Sequence, residues 1–494
     1  MYLLGLDIGT SSIKATVVDA ATKKVVISAQ YPDKEASISS PQPGWAEQDP
    51  ETWWEYSKKA ITRLTSSGKF NVKEIKSIGI SYQMHGLVMV DKDQKVLRPS
   101  IIWCDSRAVE TGEKAFQQIG EERALSHLLN SPGNFTASKL AWVKANEPEL
   151  YEQCYKIMLP GDFIAMKLTG EITTSNSGLS EGVFWDFCDN TVSEDVMKTY
   201  GFDIDLIPEI RPVFSNHGEV SQETMNALGL QIGTPVSYKA GDQPNNALSL
   251  NVLNPGEIAA TAGTSGVVYA VSDRVSYDPK SRINSFAHVN HQMDEKTRIG
   301  ILLCINGTGI LNSWVKHNVA KGIDYPEMNK KAEEIAVGSN GLSVLPFGNG
   351  AERMLENKLV GAQFMNLDFN KHSDAHIYRA AQEGIAFSLK YGFDMMQANG
   401  VDPKVIRAGK ANMFLSDVFS KTLVNITQTP VELYDTDGAK GAALGGGFGA
   451  GLFNSLPEAM DGLTLVKTIE PENQNLQEYQ DAYQSWTKAL ALFV

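Results

Sequence analysis

Two distant stretches of this chain alternate apolar and polar positions in the same way. Near the N-terminus an apolar run ends in Leu6-Asp7-Ile8 and passes through a small-residue turn, Gly9-Thr10-Ser11-Ser12. It resumes as a β-rich run to Asp19. Near the middle, Ala260-Thr261-Ala262 leads into Gly263-Thr264-Ser265-Gly266, and a second β-rich run ends at Asp273. In both copies the glycine precedes the aspartate by ten positions. A repeated strand–turn–strand unit predicts two related halves that face each other.

The pattern elsewhere predicts an α/β chain. Val17-Val18-Asp19 and Lys24-Val25-Val26-Ile27 alternate like strands of one hairpin sheet. Residues 37–44 are polar and proline-rich, a surface loop, and Asp49 is placed to cap a helix carrying Trp53, Trp54 and Tyr56. Residues 78–82 and 86–90 read as strands, with Gln83-Met84-His85-Gly86 as a polar interruption between them. Residues 138–146 and 155–168 read as helices. A strand over 236–240 ends at Gly241-Asp242-Gln243, and a helix follows from Asn245. Proline and glycine in Val252-Leu253-Asn254-Pro255-Gly256 break the pattern, which sets domains at 1–250 and 251–494. From Ser373, small and apolar residues recur at helical spacing (Ile377, Ala380, Ala381, Gly384, Ile385, Ser388, Leu389) until Asn399-Gly400. The glycine cluster from Gly438 to Gly451 is interleaved with alanine, which reads as a tightly packed helix after a turn.

Bulk properties narrow the function. A length of 494 residues suffices for two substantial cores. A net charge of −14 argues against nucleic acid or an anionic membrane as the main partner. A nucleotide stays open, because a divalent ion and backbone N–H groups can hold one in an acidic protein. Cys104, Cys154, Cys188 and Cys304 are scattered without paired spacing, as in a cytoplasmic protein with reduced thiols and no zinc motif. The N-terminus enters a strand without signal-peptide character, and no apolar run is long enough to span a bilayer.

Chemistry concentrates at strand ends. The Gly9–Ser12 turn offers backbone N–H groups and hydroxyls, and Lys14 adds charge from the next strand, a donor set that suits a polyphosphate. One such tetrapeptide alone is more often a plain hairpin turn; the second copy reverses that weighting. Asp7 closes an apolar strand, where an unpaired carboxylate is costly. It caps the loop structurally or, beside a phosphate turn, binds Mg²⁺. Asp242 stands after Gly241 at another strand end, placed to take the proton of an attacking hydroxyl; helix N-capping is its plainer role. The expected arrangement has one aspartate from each half, with metal and base on opposite sides of the transferred phosphoryl. His85, with Gln83 and Met84, falls at a sheet end, where α/β proteins bind ligands, although lone histidines are more often structural. Trp103, Asp105 and Arg107 form a further mixed cluster, for which a core tryptophan with a surface ion pair is the plainer reading.

These residues together resemble the FGGY family of carbohydrate kinases almost end to end, and its xylulose-phosphorylating members most. Gly5-Leu6-Asp7-Ile8-Gly9-Thr10-Ser11 is similar to the family's first phosphate motif, and Pro43-Gly44-Trp45-Ala46-Glu47-Gln48-Asp49-Pro50 to its early tryptophan and acidic segment. Gln83-Met84-His85-Gly86 resembles the ketose-contacting motif. Thr136-Ala137-Ser138-Lys139-Leu140-Ala141-Trp142 resembles the first family signature, with Asn134 as a departure. Gly361 through Glu383-Gly384 resembles the second, preceded by Leu345-Pro346-Phe347 and Glu352-Arg353.

The resemblance implies a duplicated actin/hexokinase-like (ribonuclease H-like) α/β fold, two domains with a central cleft, and ATP with Mg²⁺. It implies Asp242 as base and Asp7 as the metal-side carboxylate. Thr10, Ser11, Ser12, Lys14 and Thr264 would face phosphates. Gly309, and Gly409 with Asn412, would border the nucleoside; Met84 and His85 would contact the sugar. The implied reaction is ATP-dependent phosphorylation of D-xylulose to D-xylulose 5-phosphate, with a homodimer as the assembly allowed for. Two departures stand out. The base is followed by Gln243, as in glycerol kinases, and Arg407-Ala408-Gly409-Lys410-Ala411-Asn412 carries one glycine where several are usual. Other acceptors (ribulose, gluconate, glycerol) therefore remain alternatives, as does an actin-like nucleotide-binding protein without kinase activity.

Overall fold

The computed structural model describes residues 1–292 and 295–494. Its two main sheets grow from the two repeats. In the first, β1 (Tyr2–Ile8) pairs antiparallel with β2 (Ile13–Asp19), and β2 antiparallel with β3 (Val25–Tyr31). On its other side β1 runs parallel to β4 (Ile75–Tyr82), and β4 parallel to β5 (Val236–Gly241). The order is therefore β5-β4-β1-β2-β3. Strands β1 and β4 are buried on both faces, which is why they read as near-continuous apolar runs.

The second sheet repeats that order. β6 (Glu257–Ala262) pairs antiparallel with β7 (Gly266–Ser272), and β8 (Ile299–Ile305) lies beyond β7. β9 (Val405–Gly409) runs parallel to β6, and β10 (Val431–Asp435) parallel to β9. Strands Asn284–Ala287 and Thr464–Ile469 extend the two edges. The duplication expected from the twin turns is thus a shared strand order. By its internal contacts the chain forms two compact units. Unit 1 comprises Met1–Asn251, Phe286–Ile299 and Thr436–Leu463, and unit 2 comprises Val252–Ser285, Gly300–Asp435 and Thr464–Val494.

Among the helices, α1 (Pro50–Thr65) starts at its expected cap, where the Asp49 carboxylate accepts from the Glu51 N–H. α2 (Thr136–Asn146), α3 (Pro160–Thr169), α4 (Asn176–Glu181) and α5 (Asp242–Ser249) belong to unit 1. α6 (Gly309–Asn318) and α7 (Asp374–Ala398) belong to unit 2, and α8 (Gly438–Gly449) returns to unit 1. None of the helices among the described residues is long and apolar enough to cross a membrane.

Three expectations are corrected. Residues 155–158 are not helical: Lys156–Met158 is a strand and the helix begins at Pro160. Proline fits a first helical turn but pushes its predecessor to extended backbone, and Leu159 has ψ 163°. Helix α5 starts at Asp242, ahead of Asn245, because Pro244 sits in the first turn, where its missing N–H has no intrahelical use. Only Val88–Val90 of the 86–90 stretch forms a strand, since the chain turns at His85 with φ 63°.

The glycine-rich helix α8 is packed, as its alanines suggest. Its backbone lies directly on β1 and β4. A Cβ on Gly5 would stand 1.8 Å from the Ala439 carbonyl oxygen, and one on Gly79 1.8 Å from that of Ala442. Both obstacles are backbone atoms that cannot swing aside. Gly79→Ala should therefore cost about 3 kcal/mol of stability, seen as a lower midpoint of urea unfolding. An unchanged midpoint would refute this close approach.

Candidate active site

The parallel register of unit 1 brings three chain segments to one sheet edge. Ile8 is paired with Tyr82, and Tyr82 with Gly241, so β1, β4 and β5 end side by side. Asp7 lies next to the end of β1, Gln83-Met84-His85 follow β4, and Asp242 follows β5. The Gln83 N–H continues the ladder to the Ile8 carbonyl at 2.9 Å. Strand spacing sets β1 and β5 about 10 Å apart. This is the carboxyl edge of parallel strands, where such sheets hold ligands. It corrects the expectation of one aspartate from each half: Asp7 and Asp242 both belong to unit 1.

Asp242 is the first residue of α5, and the N-cap position is Gly241, so Asp242 does not cap its own helix. Asp7 and Asp242 keep some contact with solvent, yet protein surrounds both closely. Burial pushes the Asp242 carboxyl up to about 7, the Asp7 charge adds to this, and hydrogen bonds from Gln243 and backbone N–H groups oppose it. Burial also raises Asp7; the Asp437 charge adds to it, while Ser81 and Lys14 oppose it.

Asp437 was not foreseen from the sequence. It caps α8, one carboxylate oxygen accepting the Lys440 N–H at 2.9 Å and the other pairing with Lys14 Nζ at 2.6 Å. Asp7 lies against the same helix start, since a Cβ on Gly438 would come within 2.7 Å of Asp7 Oδ2. An aspartate just ahead of a glycine-alanine helix is an N-cap signal that could have marked Asp437. Lys14 thus spans 423 positions to meet its partner. The donor set fits a divalent cation: hard carboxylate oxygens of Asp7 and Asp437 with partly uncompensated charge.

The turn after β4 is closely held. Met84 is buried, and Gly241 is packed so tightly that a Cβ there would lie 2.6 Å from Met84 Cγ and 2.5 Å from Glu181 Oε2. The His85 N–H donates to Glu181 Oε1 at 3.2 Å, and His85 Nδ1 lies 2.9 Å from the Glu181 carbonyl oxygen. Lys139 Nζ donates to the His85 carbonyl at 2.7 Å. Phe135 and Phe286 flank the imidazole, with ring centroids 4.9 and 5.5 Å away. Nothing in the sequence pattern marked Glu181, which ends a six-residue helix of small polar residues.

Thr10 turns its hydroxyl toward this side. It donates to Gln83 Oε1 at 3.0 Å and accepts from Trp103 Nε1 at 3.0 Å. Ser12 closes the turn by accepting the Gly9 N–H at 3.1 Å, while the Ser11 carbonyl accepts from Ala36 at 2.7 Å. The plainer reading of the tryptophan cluster is inverted. Trp103 is 52% exposed, whereas Asp105 and Arg107 are the buried members. Arg107 pairs with Asp105 and Glu47 at 2.7 Å each and stacks 3.7 Å from the Trp45 ring centroid. A planar guanidinium can meet two carboxylates and an aromatic face at once, which keeps this charge inside.

In unit 2 the second glycine turn gathers the remaining candidates. Gly309, at the head of α6, donates its N–H to the Gly263 carbonyl at 2.9 Å, and Ile310 donates to that of Thr264 at 3.0 Å. A Cβ on Gly309 would stand 2.1 Å from the Gly263 oxygen, so the helix start needs glycine there. Asn412 faces the same turn, its Nδ2 3.6 Å from where a Gly263 Cβ would be. Gly409, at the end of β9, has open space where its side chain would project, and Thr264 is exposed.

Comparison with known proteins fits this geometry. The N-terminal domain of the FGGY family of carbohydrate kinases matches residues 2–249, and its C-terminal domain matches residues 258–450. The chain is 28% identical over 496 residues to the xylulose kinase of Bacillus subtilis, covering 98% of this chain and 95% of that relative. It is 28% identical over 486 residues to the xylulose kinase of Escherichia coli, covering 97% and 96%. A xyloylose kinase from Brucella ovis superposes with a TM-score of 0.90 at 25% identity, covering 100% of this chain and 99% of that one. The fold is the duplicated actin/hexokinase-like one, and the chain belongs to the FGGY family of carbohydrate kinases.

Proposed function

We propose that this sugar kinase transfers the γ-phosphoryl group of MgATP to the terminal hydroxyl of D-xylulose, giving D-xylulose 5-phosphate in the cytoplasm. One observation carries the reading: a carboxylate with a pKa of about 7, Asp242, stands at one sheet edge beside the Met84-His85 turn and two strands from Asp7. The full-length similarity to proteins named xylulose kinase supports the ketose, as does the Gln83-Met84-His85-Gly86 turn. The family match argues against the alternative of an actin-like nucleotide-binding protein without kinase activity.

In this scheme the acceptor oxygen bonds to the γ-phosphorus as the bond to the β–γ bridging oxygen of ATP breaks. Asp242 takes the hydroxyl proton. A base with a pKa near the working pH is both sufficiently ionised and sufficiently basic. Asp7 and Asp437 would hold Mg²⁺, which when bound offsets phosphate charge. Ser11, Ser12 and Lys14 are assigned to phosphates, with Thr10 turned partly to the sugar side. Thr264, Gly309, Gly409 and Asn412 are assigned to the nucleotide. A second acceptor class is compatible with Gln243, whose Oε1 is buried without a hydrogen-bond partner among the described residues. An acceptor hydroxyl would satisfy that atom, and a polyol such as glycerol could supply one as well as a ketose.

Three measurements test the scheme. A panel of sugars and polyols, run with ATP and with GTP, should show ATP consumption stimulated most by D-xylulose; greater stimulation by glycerol, gluconate or ribulose would replace the acceptor. Asp242→Ala should fold normally and lose about 10²–10⁴-fold in turnover, and a variant keeping more than about half the activity would remove Asp242 as base. The pH profile follows from the sign of the shift. The carboxyl must be ionised to accept a proton, so activity should fall about tenfold per unit as pH drops below the pKa of about 7. A flat profile from about pH 6 to 8 would contradict it.

A further inference from the structure

Glu181 has no part in the scheme above, yet it sits among the residues that do. It is 1% exposed, and a buried carboxyl group is costly unless something holds it. Its neighbour Lys139 gives its ammonium to the carbonyls of His85 and Ile102, at 2.7 and 3.0 Å. Glu181 therefore meets no ion-pair partner among the described residues; its side-chain oxygen accepts the His85 N–H instead.

His85 needs that support. Its backbone lies in the left-handed region at φ 63°, a strained conformation for a residue with a Cβ. Glu181 holds it at two points, by carboxyl oxygen to backbone N–H and by backbone carbonyl to ring Nδ1. A carbonyl only accepts, so Nδ1 carries the proton, and in the neutral ring the lone pair lies on Nε2. That tautomer presents an acceptor, the group that a sugar hydroxyl donates to. The other carboxyl oxygen, Oε2, lies against Gly241, the residue before Asp242. Glu181 thus touches both the His85 backbone and the strand end that carries the base.

We propose that Glu181 is a positioning residue of the acceptor site, fixing the backbone and ring tautomer of His85 and its spacing from Asp242. The inference rests on the reading of Met84 and His85 as sugar contacts. Burial raises the Glu181 carboxyl well above the usual range, with the charges of Asp242 and Asp162 adding to this and the His85 N–H and Lys139 opposing it. An amide oxygen can accept the same His85 N–H, so glutamine can replace it.

The test uses the full-length enzyme and whichever acceptor the wild type phosphorylates fastest, so a wrong sugar assignment does not spoil it. Glu181→Ala should raise the acceptor KM about tenfold or more while the ATP KM stays within about twofold. Glu181→Gln, which can still accept the His85 N–H, should stay within about threefold of wild type in both. In a His85→Ala background, Glu181→Ala should add less than about twofold, because its effect runs through that residue. Should Glu181→Ala not fold, Glu181→Met keeps the volume without the acceptor and carries the same expectations. An acceptor KM unchanged in Glu181→Ala or Glu181→Met overturns the proposal. So does a Glu181→Gln as impaired as Glu181→Ala, or an undiminished Glu181→Ala effect in the His85→Ala background.

Discussion

The parallel ladder through β1, β4 and β5 decides where the chemistry of unit 1 can happen. Strand register has a period of two, so a slip of one residue would turn each side chain to the opposite face. In this ladder Gly5 is paired with Gly79, and both lie under the backbone of α8. A slip would bring Leu4 or Leu6 beneath the Ala439 carbonyl, where not even a methyl group fits. The glycine pair therefore locks the register by exclusion. The locked register sets Ile8, Tyr82 and Gly241 side by side, and with them Asp7, the Met84-His85 turn and Asp242.

That same helix brings charge to the site. α8 starts at Asp437, so docking the helix on β1 also sets a second carboxylate beside Asp7. Lys14 offsets one of these charges at 2.6 Å; burial is the main cause that raises both Asp7 and Asp242, with the Asp437 charge adding at Asp7 and the Asp7 charge adding at Asp242. Packing and electrostatics are coupled here: the close glycine contact that stabilises the sheet also crowds the anions. A cation held at Asp7 and Asp437 would relieve that crowding.

Much of this was legible in the chain, for local reasons. Asp7 and Asp242 stand out because a carboxylate at an apolar strand end is anomalous wherever it occurs. Helix α7 follows from one face of small apolar residues and a cap at Ser373. What could not be read depends on distant contacts. Asp437 acquires its meaning only through Lys14, on the other side of nearly the whole sequence, and Glu181 only through His85 and Gly241. Trp103 and Arg107 reverse the plainer reading, because residue type favours an inside tryptophan and an outside arginine. Arg107 is held inside by two carboxylates and the Trp45 face, and the exposed indole of Trp103 donates to Thr10. Residues 155–158 depart from the expected helix because Pro160 marks a helix start and sets its predecessor extended.

The duplication also shows how two similar turns come to differ. Aligned on their glycines, Asp7 corresponds to Thr261 and Lys14 to Val268. The first turn has a carboxylate and an ammonium beside it; the second has a neutral hydroxyl and an isopropyl group at those places. The turns differ in length as well as in charge: Ile8 pairs with Ile13 across four turn residues, whereas Ala262 pairs with Gly266 across three. In the first unit the Thr10 hydroxyl is engaged with Gln83 and Trp103, whereas in the second Thr264 is exposed and its carbonyl receives the head of α6. A neutral turn packed on a helix start at Gly309 suits an uncharged ligand part or a phosphate bound by N–H groups alone. A turn flanked by Asp7, Lys14 and Asp437 suits the place where charge moves. The side-chain differences at Asp7 and Lys14, with a one-residue change in turn length, distinguish the two turns within one shared strand order.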